Sequence, residues 1–200
     1  MISFNNLIKT LKHGNAPLFM MIGNGGNNQF RYIKDLRSVL RDVVGQVPHG
    51  SSFLYFGDYP NKKNPDIGYA FQLLSELRPD INIYMIQIKE AIVWGIPKFV
   101  KNVYWHTDYS TKCKWGGVNN NKPCSNTKKW TLINKYIGIS KVFILGGGEI
   151  TLDEFKLIKQ LKIDYIYYKI HRRCLGDGNT KINDKYTQRQ KIGITYKKIE

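Results

Sequence analysis

The sequence predicts an α/β three-layer sandwich around a mostly parallel sheet of five or six strands. Three observations carry that expectation. Short apolar runs of strand length alternate with segments whose apolar residues recur at helical spacing, the pattern of repeated strand–helix–strand units. The connections between successive runs are long enough for right-handed crossovers. Two of the runs end in glycine clusters, at Gly23, Gly25 and Gly26 and at Gly146, Gly147 and Gly148, as tight strand-to-helix turns do.

Taken in order, Phe4, Leu7, Ile8 and Leu11 give residues 3–13 the stripe of a short amphipathic helix that packs outside the sheet. Residues 17–22 are the first strand, and residues 29–44 carry Phe30, Ile33, Leu36, Leu40 and Val43 on one helical stripe. Residues 52–56 form the second strand, which runs into Gly57, Asp58, Tyr59 and Pro60. Asp66, just past Pro65, suits the N-cap of a helix over residues 67–77, with Pro79 as its stop. Residues 81–87 are the third strand, residues 89–94 a short helix, and residues 99–105 the fourth strand.

Residues 106–127 are polar and show no hydrophobic period. The loop mixes Trp105, His106, Asp108, Tyr109, Trp115, Gly116, Gly117, Asn126 and Trp130, and suits a lid, a partner-binding surface or a packed Ω-loop. Trp130, Ile133 and Ile137 fit a helix before the fifth strand at 141–145. Phe155, Ile158 and Leu161 fit a helix over 151–161, and residues 164–170 are the sixth strand. His171, Arg172 and Arg173 follow that strand directly and so can reach the ligand edge. The chain divides into a main domain, 1–175, and a basic C-terminal extension, 176–200, in which residues 192–196 are the strand-like run.

A chain of 200 residues and 23.2 kDa suits one domain. Its formal charge is +16, from 31 Lys and Arg against 15 Asp and Glu. Lys, Asn, Ile and Tyr are plentiful together, as an AT-rich coding sequence produces, so composition is the first reading of the charge and a nucleic-acid surface the second. Cys113, Cys124 and Cys174 are odd in number and lack CxxC spacing. That argues against a disulfide framework or a zinc site, and no metal or cofactor is expected. No apolar run approaches the roughly 18 residues of a membrane span, and none at the N-terminus resembles a signal peptide. The expectation is a soluble, cytoplasmic protein with no membrane partner.

In a parallel sheet both glycine turns follow the carboxyl ends of strands, where open α/β sheets hold their ligands. Glycine lets the backbone take positive φ and lets a phosphate approach, and the N–H groups of the following helix turn favour an anion. The candidate ligand-binding residues are therefore Gly23, Asn24, Gly25, Gly26 and Asn27 with Arg31, then Asp58, then Gly146, Gly147, Gly148, Glu149 and Thr151. The asparagines donate to phosphate or ribose, Arg31 can fork onto a phosphate, and Asp58 can accept from a ribose hydroxyl. The first loop lacks the spacing of a dinucleotide fingerprint, and the chain contains no nucleophile elbow, HExxH or Walker loop.

The run Gly147-Gly148-Glu149-Ile150-Thr151-Leu152-Asp153-Glu154 resembles the Gly-Gly-x-Gly-Thr-x-x-Glu turn of the LOG and lysine-decarboxylase-like proteins, within the SLOG superfamily of Rossmann-like nucleotide-ligand domains. The match is direct over these residues; across 17–170 only the order of strands and loops is similar. The resemblance implies a Rossmann-like sheet and a nucleotide-type ligand. It also implies, for the enzyme branch, hydrolysis of the N-glycosidic bond of a nucleoside monophosphate. Glu154 would then be catalytic, stabilising positive charge on the ribosyl group or orienting a water; its plainer role is to complement the helix dipole. Ile150 stands at one of the motif's glycines, and the enzyme branch's arginine- and lysine-bearing motif has no counterpart, departures that favour binding over catalysis. The expected function is binding of a nucleotide-derived small molecule as a sensor or effector. The alternatives are a nucleotide N-glycosidase (phosphoribohydrolase) and a nucleic-acid-associated protein; a homodimer is left open.

Overall fold

Six of the apolar runs pair side by side, all in parallel. The computed structural model describes residues 4–23, 28–30, 32–56, 60, 62–63, 65–88, 95–106, 118–119, 122–123, 125–147, 149–170 and 172–174. The chain enters through α1 (Phe4–His13), then β1 (Leu18–Gly23), β2 (Asn28–Phe30) and α2 (Ile33–Gly45). It continues through β3 (Ser52–Phe56), α3 (Ile67–Leu77), β4 (Asn82–Ile88) and β5 (Val100–His106). A two-residue pair, β6 (Val118–Asn119) and β7 (Lys122–Pro123), precedes α4 (Ser125–Tyr136). Last come β8 (Ile139–Leu145), α5 (Glu149–Gln160), β9 (Tyr165–Tyr168) and β10 (Arg172–Cys174).

The sheet order is β5-β4-β3-β1-β8-β9. Both faces are covered, which is why the strands are near-continuous apolar runs rather than alternating ones. On one face Phe19, Met21, Phe53, Met85, Phe143 and Leu145 pack against Leu36, Val39, Leu40 and Val43 of α2 and Ala70, Phe71 and Leu74 of α3. On the other, Met20, Ile22, Leu54, Ile86, Val142 and Ile144 meet Leu7 and Leu11 of α1, Trp130 and Ile133 of α4, and Phe155 and Ile158 of α5. The result is a three-layer, Rossmann-like α/β sandwich. The helices change face where the direction of strand addition reverses, as right-handed crossovers require.

Local chemistry fixes several boundaries. Asp66 caps α3, its carboxylate accepting from the Tyr69 N–H at 3.2 Å. At the amino edge of the sheet, Arg78 forks onto Asp80 at 2.6 and 2.7 Å and donates to the Val44, Val47 and Pro48 carbonyls. That contact holds the Asp80 carboxyl well below the usual carboxylate range, so this pair's charges are spent on the fold.

Three expectations change. The helix expected over 29–44 begins at Ile33, because Asn28–Phe30 form a strand: the Phe30 N–H donates to the Pro65 carbonyl at 2.7 Å and the ring is buried. The helix expected over 151–161 begins at Glu149. Residues 172–174, which the sequence left without a strand of their own after the sixth strand, pair antiparallel with β2. The segment 89–94, most of loop 106–127 and the extension 176–200 lie outside the described residues.

One polar network ties β9 to α2. Tyr168 is buried and donates its hydroxyl to the Asp42 carboxylate, while Gln46 donates to that carboxylate at 2.8 Å and to the Tyr168 oxygen at 3.2 Å. Burial first, and then the Asp42 contact, pushes the Tyr168 phenol far up. A raised folded-state pKa gives stability that is whole below the unfolded value of about 10 and fades as pH rises beyond it. Tyr168→Phe is therefore expected to cost about 1.5–3 kcal/mol at pH 7, the range for a hydrogen bond to a charged group. It should also flatten the loss of stability above about pH 10, and denaturant melts at pH 7 with thermal melts from neutral to alkaline pH check both parts.

Candidate functional site

The strand order decides where a ligand site can form. From β1 the chain builds outward through β3, β4 and β5, then returns to add β8 and β9 on the other side. The direction of winding therefore reverses between β1 and β8. At such a switch point the following helices leave on opposite faces and open a crevice at the carboxyl ends of the two strands. Here α2 packs on one face and α5 on the other. Gly23, where the first glycine run begins, and Gly146 and Gly147 of the second lie at this point, since Gly23 pairs with Leu145 at the end of the β1–β8 ladder.

The glycines at the crevice have steric reasons. A Cβ on Gly23 would lie 2.2 Å from the Leu145 carbonyl oxygen. Gly146 has φ 66° and Gly147 φ 105°. A Cβ on Gly147 would lie 2.3 Å from Thr151 Oγ1 and 2.4 Å from Thr151 Cβ. Gly146 is held from both sides: its N–H donates to the Tyr168 carbonyl at 3.1 Å, and its carbonyl accepts from the Tyr167 hydroxyl at 2.6 Å. Thr151 is buried in the first turn of α5 and donates its hydroxyl to the Gly23 carbonyl at 3.1 Å. One side chain thus ties the second turn to the end of the first strand.

Of the candidate residues, Gly23, Gly146, Gly147 and Thr151 come together at the switch point. Glu149 opens α5 beside them. Glu154 is half-buried in the second turn of α5, about 7.5 Å along the axis from Glu149 at 1.5 Å per residue. Asn24, Gly25, Gly26, Asn27, Arg31, Asp58 and Gly148 lie outside the described residues. Trp130 is a core residue, stacked on Phe56 with centroids 5.8 Å apart.

One contact at the site and one strand pairing escaped the sequence reading, although the sequence already put Arg172 and Arg173 within reach of the ligand edge. Tyr167 fixes the Gly146 carbonyl, a role that only the pairing of β8 with β9 creates. The β2–β10 ribbon places Arg172, Arg173 and Cys174 opposite Phe30, Gln29 and Asn28. The basic run was visible, but a three-residue strand has too little periodicity to announce its partner.

No protein-family model matches this chain, and no curated protein matches it. Among the described residues no helix is long and apolar enough to cross a membrane. Also among the described residues, no group of three or more His, Cys, Asp or Glu is arranged to hold a metal ion.

Proposed function

We propose that this protein binds a nucleotide-derived, anionic ligand in the crevice between the carboxyl ends of β1 and β8 and acts as a sensor or effector of that ligand. The observation that carries the reading is that Gly23, at the end of β1, and the turn at Gly146 and Gly147 meet at one topological switch point, where Thr151 clasps them. Open α/β sheets hold their ligands there. The first-turn N–H groups of α5 favour negative charge, and a net charge of +16 adds long-range attraction for an anion. The resemblance of Gly147–Glu154 to the SLOG and LOG turn supports a nucleotide as the class. Binding is preferred to glycosidic hydrolysis because Ile150 occupies a glycine position of the motif and the enzyme branch's arginine- and lysine-bearing motif has no counterpart in the sequence.

A thermal-shift screen against nucleoside monophosphates, ADP-ribose-type compounds and dinucleotides, with product analysis of every hit, tests the reading. A ligand at 100 times its Kd adds about 2.7 kcal/mol, or roughly 5–10 °C for a chain of this size. A shift with the ligand intact is the expected result. A shift with free base released would make the protein a nucleotide N-glycosidase instead. No shift with any compound at moderate salt would reject the crevice reading.

A further inference from the structure

The layer of α1, α4 and α5 presents a charged surface that the crevice does not use. Each of these helices runs into a strand, α1 into β1, α4 into β8 and α5 into β9. Those strands are parallel, so the three helix C-termini lie together at the amino edge of the sheet, away from the carboxyl edge. Ring contacts spread them across its width. Phe4 of α1 meets Tyr104 of β5 edge-on at 5.4 Å, Trp130 of α4 stacks on Phe56 of β3 at 5.8 Å, and Phe155 of α5 meets Tyr165 of β9 edge-on at 5.0 Å. β5 and β9 are the outermost strands of the six-stranded sheet, roughly 24 Å apart at the usual interstrand spacing.

The charge on this edge is one-sided. α1 and α4 contain neither Asp nor Glu, and the acidic residues of α5, Glu149, Asp153 and Glu154, fall in its first half, towards the carboxyl edge. Lys12 of α1, Lys135 of α4, Lys159 of α5 and Lys162 just past it are exposed, with Lys9 one turn behind Lys12. Lys12 and Lys135 come from different helices to one exposed ring, each ammonium 5.5 Å from the centre of Tyr136. Two like charges thus stand no more than twice that distance apart. The carbonyl ends of the helices supply about −0.5 charge each, and Asp164 is exposed two residues past Lys162; the four lysines still leave the edge positive. On the other face, α2 and α3 carry Lys34, Arg37 and Arg41 against Asp35, Asp42 and Glu76, a balance. A coding bias towards lysine acts on both layers alike and leaves that asymmetry unexplained.

We propose that the amino edge of the α1–α4–α5 layer docks the phosphate backbone of a nucleic-acid duplex without reading its sequence. The inference goes beyond the crevice and does not depend on its ligand. None of the three helices contains Arg, so the surface offers point charges suited to phosphate rather than the planar forks of directional recognition. A duplex carries one charge per 1.7 Å or so of its axis, so a row of this width meets phosphate in any register. A single strand binds by stacking its bases on free aromatic faces, whereas the Tyr136 ring is engaged by two ammoniums. An anionic bilayer requires an apolar helix face to insert, and here Leu7, Leu11, Trp130, Ile133, Phe155 and Ile158 are buried against the sheet.

The test titrates the full chain with fluorescein-labelled DNA duplexes of two unrelated sequences, each about 20 base pairs and so longer than the row at about 3.4 Å per step. Both should bind equally, and engagement of four lysines predicts about a 100-fold loss of affinity between roughly 50 and 200 mM salt. Lys12→Gln and Lys135→Gln together should weaken binding at least about tenfold and make the salt dependence shallower by about two phosphate contacts. Lys12→Arg with Lys135→Arg keeps the charges and should keep the affinity. Arg37→Gln with Arg41→Gln removes the same net charge from exposed positions of α2 and should stay within about threefold, because charges more than a Debye length away are screened. Equal losses from the two Gln pairs would make net charge, and not this face, the cause and overturn the proposal. So would a loss in the Arg pair equal to that of the Gln pair, the absence of duplex binding at about 50 mM salt, or tighter binding to a single strand or to phosphatidylserine vesicles than to the duplex.

Discussion

Gly23→Ala is expected to lower stability by about 3 kcal/mol, the upper part of the range for inserting a methyl where there is no space. For a chain of this length that is roughly 6–12 °C in melting temperature. The cost comes from contact and not from backbone conformation, because Gly23 is absent from the positive-φ residues. The added Cβ would stand 2.2 Å from the Leu145 carbonyl oxygen and 2.9 Å from its carbon. A side chain in that position could rotate away, whereas a carbonyl inside a paired strand cannot. Relief therefore requires β1 and β8 to separate at the end of their ladder. The same substitution should weaken binding of the proposed ligand along with the fold. Gly45→Ala is the control: nothing lies within 4 Å of its added methyl, and a gain of about 0.4–1 kcal/mol is expected from the stiffer unfolded chain. Melts of both variants, with and without AMP or ADP-ribose, check the contrast. A Gly23→Ala protein as stable as Gly45→Ala would show that the β1–β8 edge is not closed as described.

The layered fold was legible because its strands are buried on both faces. Runs such as residues 18–22 and 142–145 must be covered from both sides, and that favours a parallel sheet with helices on each face. The capping of α3 was equally legible, since Asp66 and Pro79 are local signals. Strand order was not. Nothing in residues 17–23 or 139–145 says that β1 and β8 are neighbours, yet that adjacency brings Gly23 to the turn at Gly146 and Gly147. The misplaced start of α2 has a similar cause. Phe30 fits a helical stripe with Ile33 by spacing alone, but it reaches the same core from a strand held by Pro65 and β10. Three residues on each side settle that pairing through long-range contacts, which override local period. At Thr151 the sequence offered a ligand-binding residue, and only the adjacency of β1 and β8 lets its hydroxyl donate a hydrogen bond to the Gly23 carbonyl.

Gly147→Ala should be the most damaging single methyl in the described part of the chain, because two separate costs fall on it. Its φ of 105° is a region that side chains rarely adopt, worth about 1–3 kcal/mol of strain. Its Cβ would also meet Thr151 Oγ1, Cβ and Cγ2 at 2.3–2.5 Å, an overpacking cost of about 1–3 kcal/mol. Together they predict a loss of roughly 3–5 kcal/mol, a large share of the 5–15 kcal/mol that holds a domain folded. A double-mutant cycle separates the two. Thr151→Gly removes all three clashing atoms, at the cost of about 0.3 kcal/mol of helix propensity and about 1 kcal/mol for the hydrogen bond to Gly23. In the Gly147→Ala background the same change should recover about 1–2 kcal/mol relative to additivity, leaving the backbone strain. It should recover nothing in the Gly23→Ala background, where the obstacle is a backbone oxygen. If Gly147→Ala and Thr151→Gly add without coupling, conformation alone makes this position glycine, and Thr151 would act on the crevice only through its bond to Gly23.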